Sequence, residues 1–233
     1  MKDQGICRFC LKTYSGAGMG RHLFACKARK EETNKEVNQK VTGKSIYHLK
    51  IWGYKPYWLH IEMNSIMMLK SLDQFLRNIW LECCGHLSQF TIREVHYHVD
   101  VGNDWYGWGK RPRTMNYQLK KVLKPKDTFE YEYDFGSTTY LTGQVLDERP
   151  GKLKEGVKIM TRNNPLVYDC TNCEAKATNV CLECNDFYCE TCLEKHECSE
   201  EMYLPIVNSP RMGVCGYTGY PEIDSFMAER FNN

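Results

Sequence analysis

Between residues 170 and 198 four couples of soft side chains follow one another: Cys170-x-x-Cys173, seven residues, Cys181-x-x-Cys184, four residues, Cys189-x-x-Cys192, three residues, His196-x-Cys198. A segment so short and polar has little apolar surface to bury, so it needs something else to fold around. A Cys-x-x-Cys turn brings two thiolates to one tetrahedral ion at about 2.3 Å, and two couples close a structural zinc site. Eight ligands make two closed sites with no position left for a substrate water. The eighth has two candidates: Cys198, which forms an unusually tight couple with His196, and Cys215 in GVCGYTG.

Thirteen cysteines would also suit disulfides in a secreted chain. The opening MKDQGICRFC carries no apolar run of the signal-peptide kind, however, and no stretch approaches the roughly 18 apolar residues of a membrane span. A reducing, cytoplasmic setting is therefore expected, with no membrane association, and there clustered cysteines read as metal ligands.

The arrangement over 170–198 resembles a B-box or RING-like cross-brace. That resemblance implies that Cys170, Cys173, Cys189 and Cys192 share one ion, and Cys181, Cys184, His196 and Cys198 the other. At the N-terminus, Cys7-x-x-Cys10, eleven residues, His22-x-x-x-Cys26 resembles a CCHC-type zinc finger, with Tyr14 and Met19 as its small apolar core. Three zinc ions per chain are expected. The finger's presumptive helix, SGAGMGRH, offers Ser15, Gly16, Ala17 and Gly18 where a DNA-reading finger needs long polar side chains, so base readout is not expected.

Charge is uneven although the net is only +2. Residues 1–44 hold ten Lys/Arg against four Asp/Glu, whereas residues 169–200 hold two Lys against eight Asp/Glu. Lys12, Arg21, Lys27, Arg29 and Lys30 could give a non-specific, salt-sensitive hold on nucleic acid. The acidic second module favours a protein partner.

Four regions separate: residues 1–26, a charged segment over 27–44 that reads as a solvated linker or frayed helix, an aromatic-rich domain over 45–168, and the second cysteine module with a Gly/Pro-rich tail over 169–233. In the central domain YHLKIW and YWLHIEM alternate around Gly53-Tyr54-Lys55-Pro56, a hairpin pattern. Leu69, Leu72, Leu76, Ile79 and Cys83 recur at helical steps and make one apolar stripe, with Asp73 and Arg77 on the wet side. FTIREVHYHVDV reads as one strand, FEYEYDF as another with Phe129, Tyr131, Tyr133 and Phe135 on one face, and TYLTGQVL and GVKIMT as two more, with a further short helix near 115–123. The class is α+β, a mostly antiparallel sheet packed by one or two helices.

YWLHIEM, LKSLDQFLRNIWLECCGHLSQF and above all FEYEYDFGSTTYLTGQVL make residues 47–160 resemble the plasmid pRiA4b ORF-3-like family, also labelled transposon passenger TnpR-like. LPIVNSPRMGVCGYTG resembles the tail of members that carry a cysteine module. The resemblance implies an α+β domain and a link to mobile elements, and it carries no activity. Ser137-Thr138-Thr139 departs from the acidic residues and Trp that follow the YDFG strand in many members.

Three weaker constellations remain. His96, His98 and Asp100 alternate along one strand and read as its polar face, with acid–base or metal chemistry as the alternative. Cys83-Cys84-Gly85-His86 reads as small core hydrophobes, with a catalytic thiol as the alternative. The loop GNDWYGWGKRPRT interleaves Trp105, Tyr106 and Trp108 with Lys110, Arg111 and Arg113, a mixture that could stack on unpaired bases. Asp134-Phe135-Gly136 spells a kinase triplet without the Gly-rich or catalytic loops of a kinase. The reading adopted is a non-enzymatic zinc-binding interaction protein, with nucleic-acid binding and then an enzyme as the other readings.

Overall fold

The computed structural model describes residues 3–37, 44–100 and 111–219. The fold is α+β. In chain order the elements are β1 (Gln4–Ile6), β2 (Thr13–Ser15), α1 (Gly16–Ala25), α2 (Lys27–Val37), β3 (Ser45–Trp52), β4 (Trp58–Asn64) and α3 (Leu69–Leu76). They continue with β5 (Ser88–Ile92), β6 (Val95–His98), β7 (Arg113–Thr114), α4 (Leu119–Val122), β8 (Thr128–Tyr133), β9 (Thr139–Pro150) and β10 (Val157–Arg162). The last are β11 (Asn179–Cys181), β12 (Phe187–Tyr188), α5 (Glu190–Leu193) and β13 (Tyr203–Pro205).

Two compact units divide the chain. One holds the sequence up to Phe75 with Leu87–Asn164; the other holds Leu76–His86 with the chain from Pro165 onward. The first is built on an eight-stranded sheet in the order β10-β4-β3-β9-β8-β5-β6-β7, antiparallel at every pairing except β6 with β7. β4 is buried along its whole length, which is why its sequence WLHIEMN mixes polar and apolar residues without exposing either. The β3–β4 hairpin is the one the alternation implies.

The segment FTIREVHYHVDV is not one strand but the β5–β6 hairpin, closed at Arg93 and Glu94. Both take left-handed φ (+47° and +63°), the backbone of a tight hairpin turn, in residues that carry no Gly or Asn signature. β8 ends at Tyr133, because Asp134 at φ +64° turns the chain. Phe135 is therefore exposed instead of joining Phe129, Tyr131 and Tyr133 in the core.

Asp73 and Arg77 do not lie on a wet face. Asp73 is buried and accepts hydrogen bonds from the hydroxyls of Ser88 (2.5 Å) and Tyr131 (2.7 Å), which tie α3 to β5 and β8. After Leu76 the helix widens into a π-turn over Arg77–Leu81, closed by the Glu82 N–H on the Arg77 carbonyl (2.9 Å). Arg77 is buried in that turn.

The N-terminal ββα segment belongs to the same compact unit as the sheet. Met19, Leu23, Cys7 and Cys26 form one core with Trp58 of β4 and Met160 of β10. Met160 is the extra residue of a β-bulge, and its carbonyl accepts the Arg8 N–H (3.1 Å). Gly5 bridges Asn163, and the Asn164 N–H reaches the Gln4 carbonyl (2.7 Å), so β1 covers part of the edge strand. Gly16 thereby gains a reason: a Cβ there would clash with the indole Nε1 of Trp58.

Gly16→Ala is accordingly expected to destabilise by about 1–3 kcal/mol through overpacking, although Ala is the better helix former. Gly20→Ala meets only His60 Cε1, at 3.5 Å, and should gain up to about 1 kcal/mol. Thermal midpoints that move in the same direction for both would contradict this packing.

The segment expected as a linker holds α2. Arg29 on that helix is buried, donating to Glu62 Oε1 of β4 (2.8 Å) and to the Leu23 carbonyl (3.1 Å). Arg149 of β9 grips the same carboxylate in bidentate fashion, at 3.0 and 2.7 Å. Beside this triad His48 Nε2 and His60 Nδ1 lie 2.9 Å apart, both buried.

Burial first, and then neighbouring charge, pushes His48 well below 6.5 and His60 to about 3. Groups with depressed folded pKa stabilise the fold above their ordinary value and cease to do so as pH falls through the folded one. Stability should therefore decline as pH falls below 6.5 toward the depressed folded values of the pair. His48→Leu/His60→Leu should flatten that slope in denaturant titrations across the range. An unchanged slope would show that the pair does not titrate on unfolding.

Candidate metal centres

Four groups of Cys and His side chains could hold metal ions, each with its four ligand atoms within 4.8 Å of one another. They are Cys7/Cys10/His22/Cys26, Cys170/Cys173/Cys189/Cys192, Cys181/Cys184/His196/Cys198 and Cys83/Cys84/His86/Cys215. All thirteen cysteines of the chain fall into these four groups. Expectation from sequence stopped at three.

Local backbone geometry explains how each couple is presented. In the first group Cys7 and Cys10 sit on the turn between β1 and β2, where the Leu11 N–H reaches the Cys7 carbonyl (2.8 Å). Leu11, directly after the second cysteine, is left-handed at φ +58°. His22 and Cys26 come from α1 and its end, Cys10 Sγ lies 3.3 Å from His22 Nε2, and Tyr14 stacks on the imidazole at 3.8 Å. Asn185, directly after Cys184, repeats the left-handed geometry at φ +58° in another Cys-x-x-Cys turn.

In the second module β11 lies between β12 and β13, and the two groups interleave along the chain. Cys173 Sγ stands 3.6 Å from both Cys189 Sγ and Cys192 Sγ, and Cys184 Sγ stands 3.5 Å from His196 Nε2. His196 is held between Tyr188 and Tyr203, and the Tyr203 hydroxyl donates to the His196 carbonyl (3.1 Å). Cys198 lies with Cys181, Cys184 and His196, whereas Cys215 lies with Cys83, Cys84 and His86.

These separations fit an ion. Tetrahedral bonds of about 2.3 Å put neighbouring sulfurs about 3.8 Å apart, far beyond the roughly 2.05 Å of a disulfide. Thiolate-rich sets of this kind suit a soft divalent cation with tetrahedral preference. Electrostatics point the same way. Hydrogen bonding with Cys173 and then Cys189 pushes the Cys192 thiol up to about 12. A backbone N–H at Cys189 draws Cys170 down to about 6, so the group offers a ready thiolate to a cation.

His96 and His98, read from sequence as the polar face of a strand, lie on β6 with Asp100 just beyond it. His96 is exposed on β6 with Thr91 Oγ1 3.1 Å from its Nδ1, and His98 leans on Phe135. Among the described residues, no potential metal group includes His96, His98 or Asp100. Trp105, Tyr106, Trp108 and Lys110 lie outside the described residues. Arg29 is withdrawn from any phosphate contact by its ion pair, while Lys12, Arg21, Lys27 and Lys30 are exposed. No described helix is long and apolar enough to cross a membrane.

No protein-family model matches this chain, and no curated protein matches it. Among solved structures it is similar to a protein of unknown function, MM3350 from Methanosarcina mazei Go1, at 19% identity and a TM-score of 0.39. The likeness covers 48% of this chain and 65% of that one, so the chain spans less than two thirds of its neighbour's length.

Proposed function

We propose that this chain is a zinc-stabilised, non-enzymatic interaction protein of a reducing compartment, and that its partner is a protein with a basic surface. The observation that carries the reading is the completeness of the ligand sets: each of the three groups expected from sequence offers four protein side chains, which would leave no coordination position for a substrate water. Catalytic zinc sites keep such a position open.

The choice of partner rests on charge. Glu174, Glu183, Glu190, Glu194, Glu197 and Glu200 are exposed on the second module, and thiolate-rich zinc centres add further negative charge. The resemblance to pRiA4b ORF-3-like proteins adds the suggestion of an accessory role beside a mobile element. A second reading, non-specific nucleic-acid binding through the N-terminal finger and the Trp/Arg loop, is favoured by the exposed Lys12, Arg21, Lys27 and Lys30.

Affinity capture with the full-length zinc-loaded protein, with and without nuclease, tests the choice. Capture of a partner protein should survive nuclease and fall at least tenfold in Glu183→Lys/Glu190→Lys/Glu194→Lys. Capture abolished by nuclease would transfer the function to nucleic acid, and no capture in either condition would contradict both readings.

A further inference from the structure

We propose that Cys83, Cys84, His86 and Cys215 form a fourth zinc centre, which clasps the C-terminal segment to the end of the π-turn and releases its ion before the other three. It goes beyond the proposed function, which stands on the three groups already expected from sequence.

The four ligand atoms converge as a coordination sphere would require. Cys84 Sγ is 3.0 Å from His86 Nε2, 3.5 Å from Cys83 Sγ and 3.6 Å from Cys215 Sγ, and His86 Nε2 is 3.2 Å from Cys215 Sγ. Such spacing is close to the edge of a tetrahedron around zinc and too long for a covalent bond between sulfurs.

Both halves of the site are held in place by protein contacts. Arg77 donates to Glu82 Oε2 (2.8 Å) and to the His86 carbonyl (2.7 Å), and Glu82 Oε1 accepts the Gly85 N–H (2.6 Å). Gly85 at φ +75° makes the reversal that lets Cys84 and His86 face each other. On the other side Ser209 donates to the Trp80 carbonyl (2.5 Å) and accepts the Arg211 N–H (2.8 Å), with Arg211 fully buried. Consecutive turns then carry the chain to Cys215: the Met212 N–H reaches the Ser209 carbonyl, Val214 reaches Arg211, and Tyr217 reaches Val214.

Cys215 itself is left-handed at φ +51°, a conformation that a residue with a Cβ rarely adopts. A strained residue whose sulfur completes a four-ligand set has a function to hold it there. His86 and Cys215 stand 129 residues apart, so an ion between them closes a long loop, the case in which a cross-link restrains the unfolded chain most.

Lability follows from exposure. Each of the other groups has at least one buried thiolate, namely Cys7 and Cys26, Cys170, or Cys181. Here Cys84 and Cys215 are exposed and Cys83 is half-buried, so a chelator or thiol reagent reaches every sulfur. The 3.0 Å thiol–imidazole contact would also suit a reactive cysteine, and the test separates the two.

Elemental analysis of full-length protein, purified from zinc-supplemented medium with thiols kept reduced, should give four zinc ions per chain. Cys215→Ser should give three, with the far-ultraviolet circular dichroism unchanged. A chromophoric chelator should withdraw one equivalent in a fast phase from the wild type and none in that phase from Cys215→Ser. Iodoacetamide should leave Cys84 unmodified until that equivalent has gone. Three ions in the wild type, an unchanged count in Cys215→Ser, or alkylation of Cys84 at the rate of a free thiol in metal-loaded protein would each overturn the proposal. Loss of one ion in Cys7→Ser and of one to two ions in each of Cys173→Ser and Cys184→Ser tests the other centres, so failure here leaves the proposed function standing.

Discussion

Cys181→Ser should abolish the ordered structure of the second module while leaving the eight-stranded sheet folded. Cys181 is fully buried at the end of β11, the central strand of the three-stranded sheet. One buried cluster of that module is Cys170, Cys181 and Tyr188, with Cys189, Cys192, Leu193, Cys198 and Tyr203 against it, so the ligands themselves supply much of its packing. Without an ion little remains to oppose chain entropy. Structural zinc binding is worth on the order of 10–16 kcal/mol, as large as the whole stability of an ordinary domain. Because the two groups interleave, losing one ion should loosen the other, and the variant should lose one to two zinc ions. Limited proteolysis should cut it rapidly between residues 170 and 205. Wild-type zinc content with wild-type protection would contradict the module's dependence on metal.

Glu62→Gln has the next largest expected effect, a loss of about 3–5 kcal/mol. The carboxylate is fully buried, and two buried or nearly buried guanidinium groups depend on it. Burial alone would raise its pKa, but hydrogen bonds from Arg149 and then Arg29 hold it below 4.5. With the folded value depressed, the stabilisation is complete above the ordinary value and is lost as pH falls through the folded one. The amide cannot offset either cation, so Arg29 should leave the sheet and take α2 with it. Denaturant midpoints at neutral pH measure the loss. Arg29→Met/Glu62→Leu/Arg149→Met should recover much of it, since an apolar replacement of a buried ion cluster is often neutral or stabilising. A triple variant no better than Glu62→Gln would show that packing, not charge, sets the cost.

Residues that form local structure were legible in the sequence, and residues whose partners are distant were not. The β3–β4 hairpin, the aromatic face of β8 and the apolar stripe of α3 all follow from periodicity, because the surface they bury is the surface the pattern marks. Asp73 and Arg77 misled because periodicity assigns polar residues to water, whereas Ser88 and Tyr131 satisfy Asp73 inside, and Glu82 and the His86 carbonyl satisfy Arg77. The β5–β6 turn was hidden because Arg93 and Glu94 adopt left-handed geometry without the residues that usually announce it. Gly16 at the start of α1 is required by the close approach of Trp58, a contact between distant residues that spacing does not reveal.

The candidate metal groups divide in the same way. Three consist of couples close enough in sequence for spacing to bring them together. The fourth pairs Cys83, Cys84 and His86 with a cysteine more than a hundred residues away, which spacing cannot see. Arithmetic could have found it: ten of thirteen cysteines are used by the other three groups, and the three left over lie together with one histidine.

Closed, four-coordinate zinc is the central claim, and X-ray absorption at the zinc K-edge of the full-length protein tests it most directly. Sulfur should dominate the first shell at about 2.3 Å, with a minor imidazole nitrogen contribution near 2.0 Å, a total coordination of four and no change on adding cyanide or azide. A resolved oxygen shell, a fifth ligand or a spectrum that shifts with added anion would mean an open metal position and would return the chain to the enzymes.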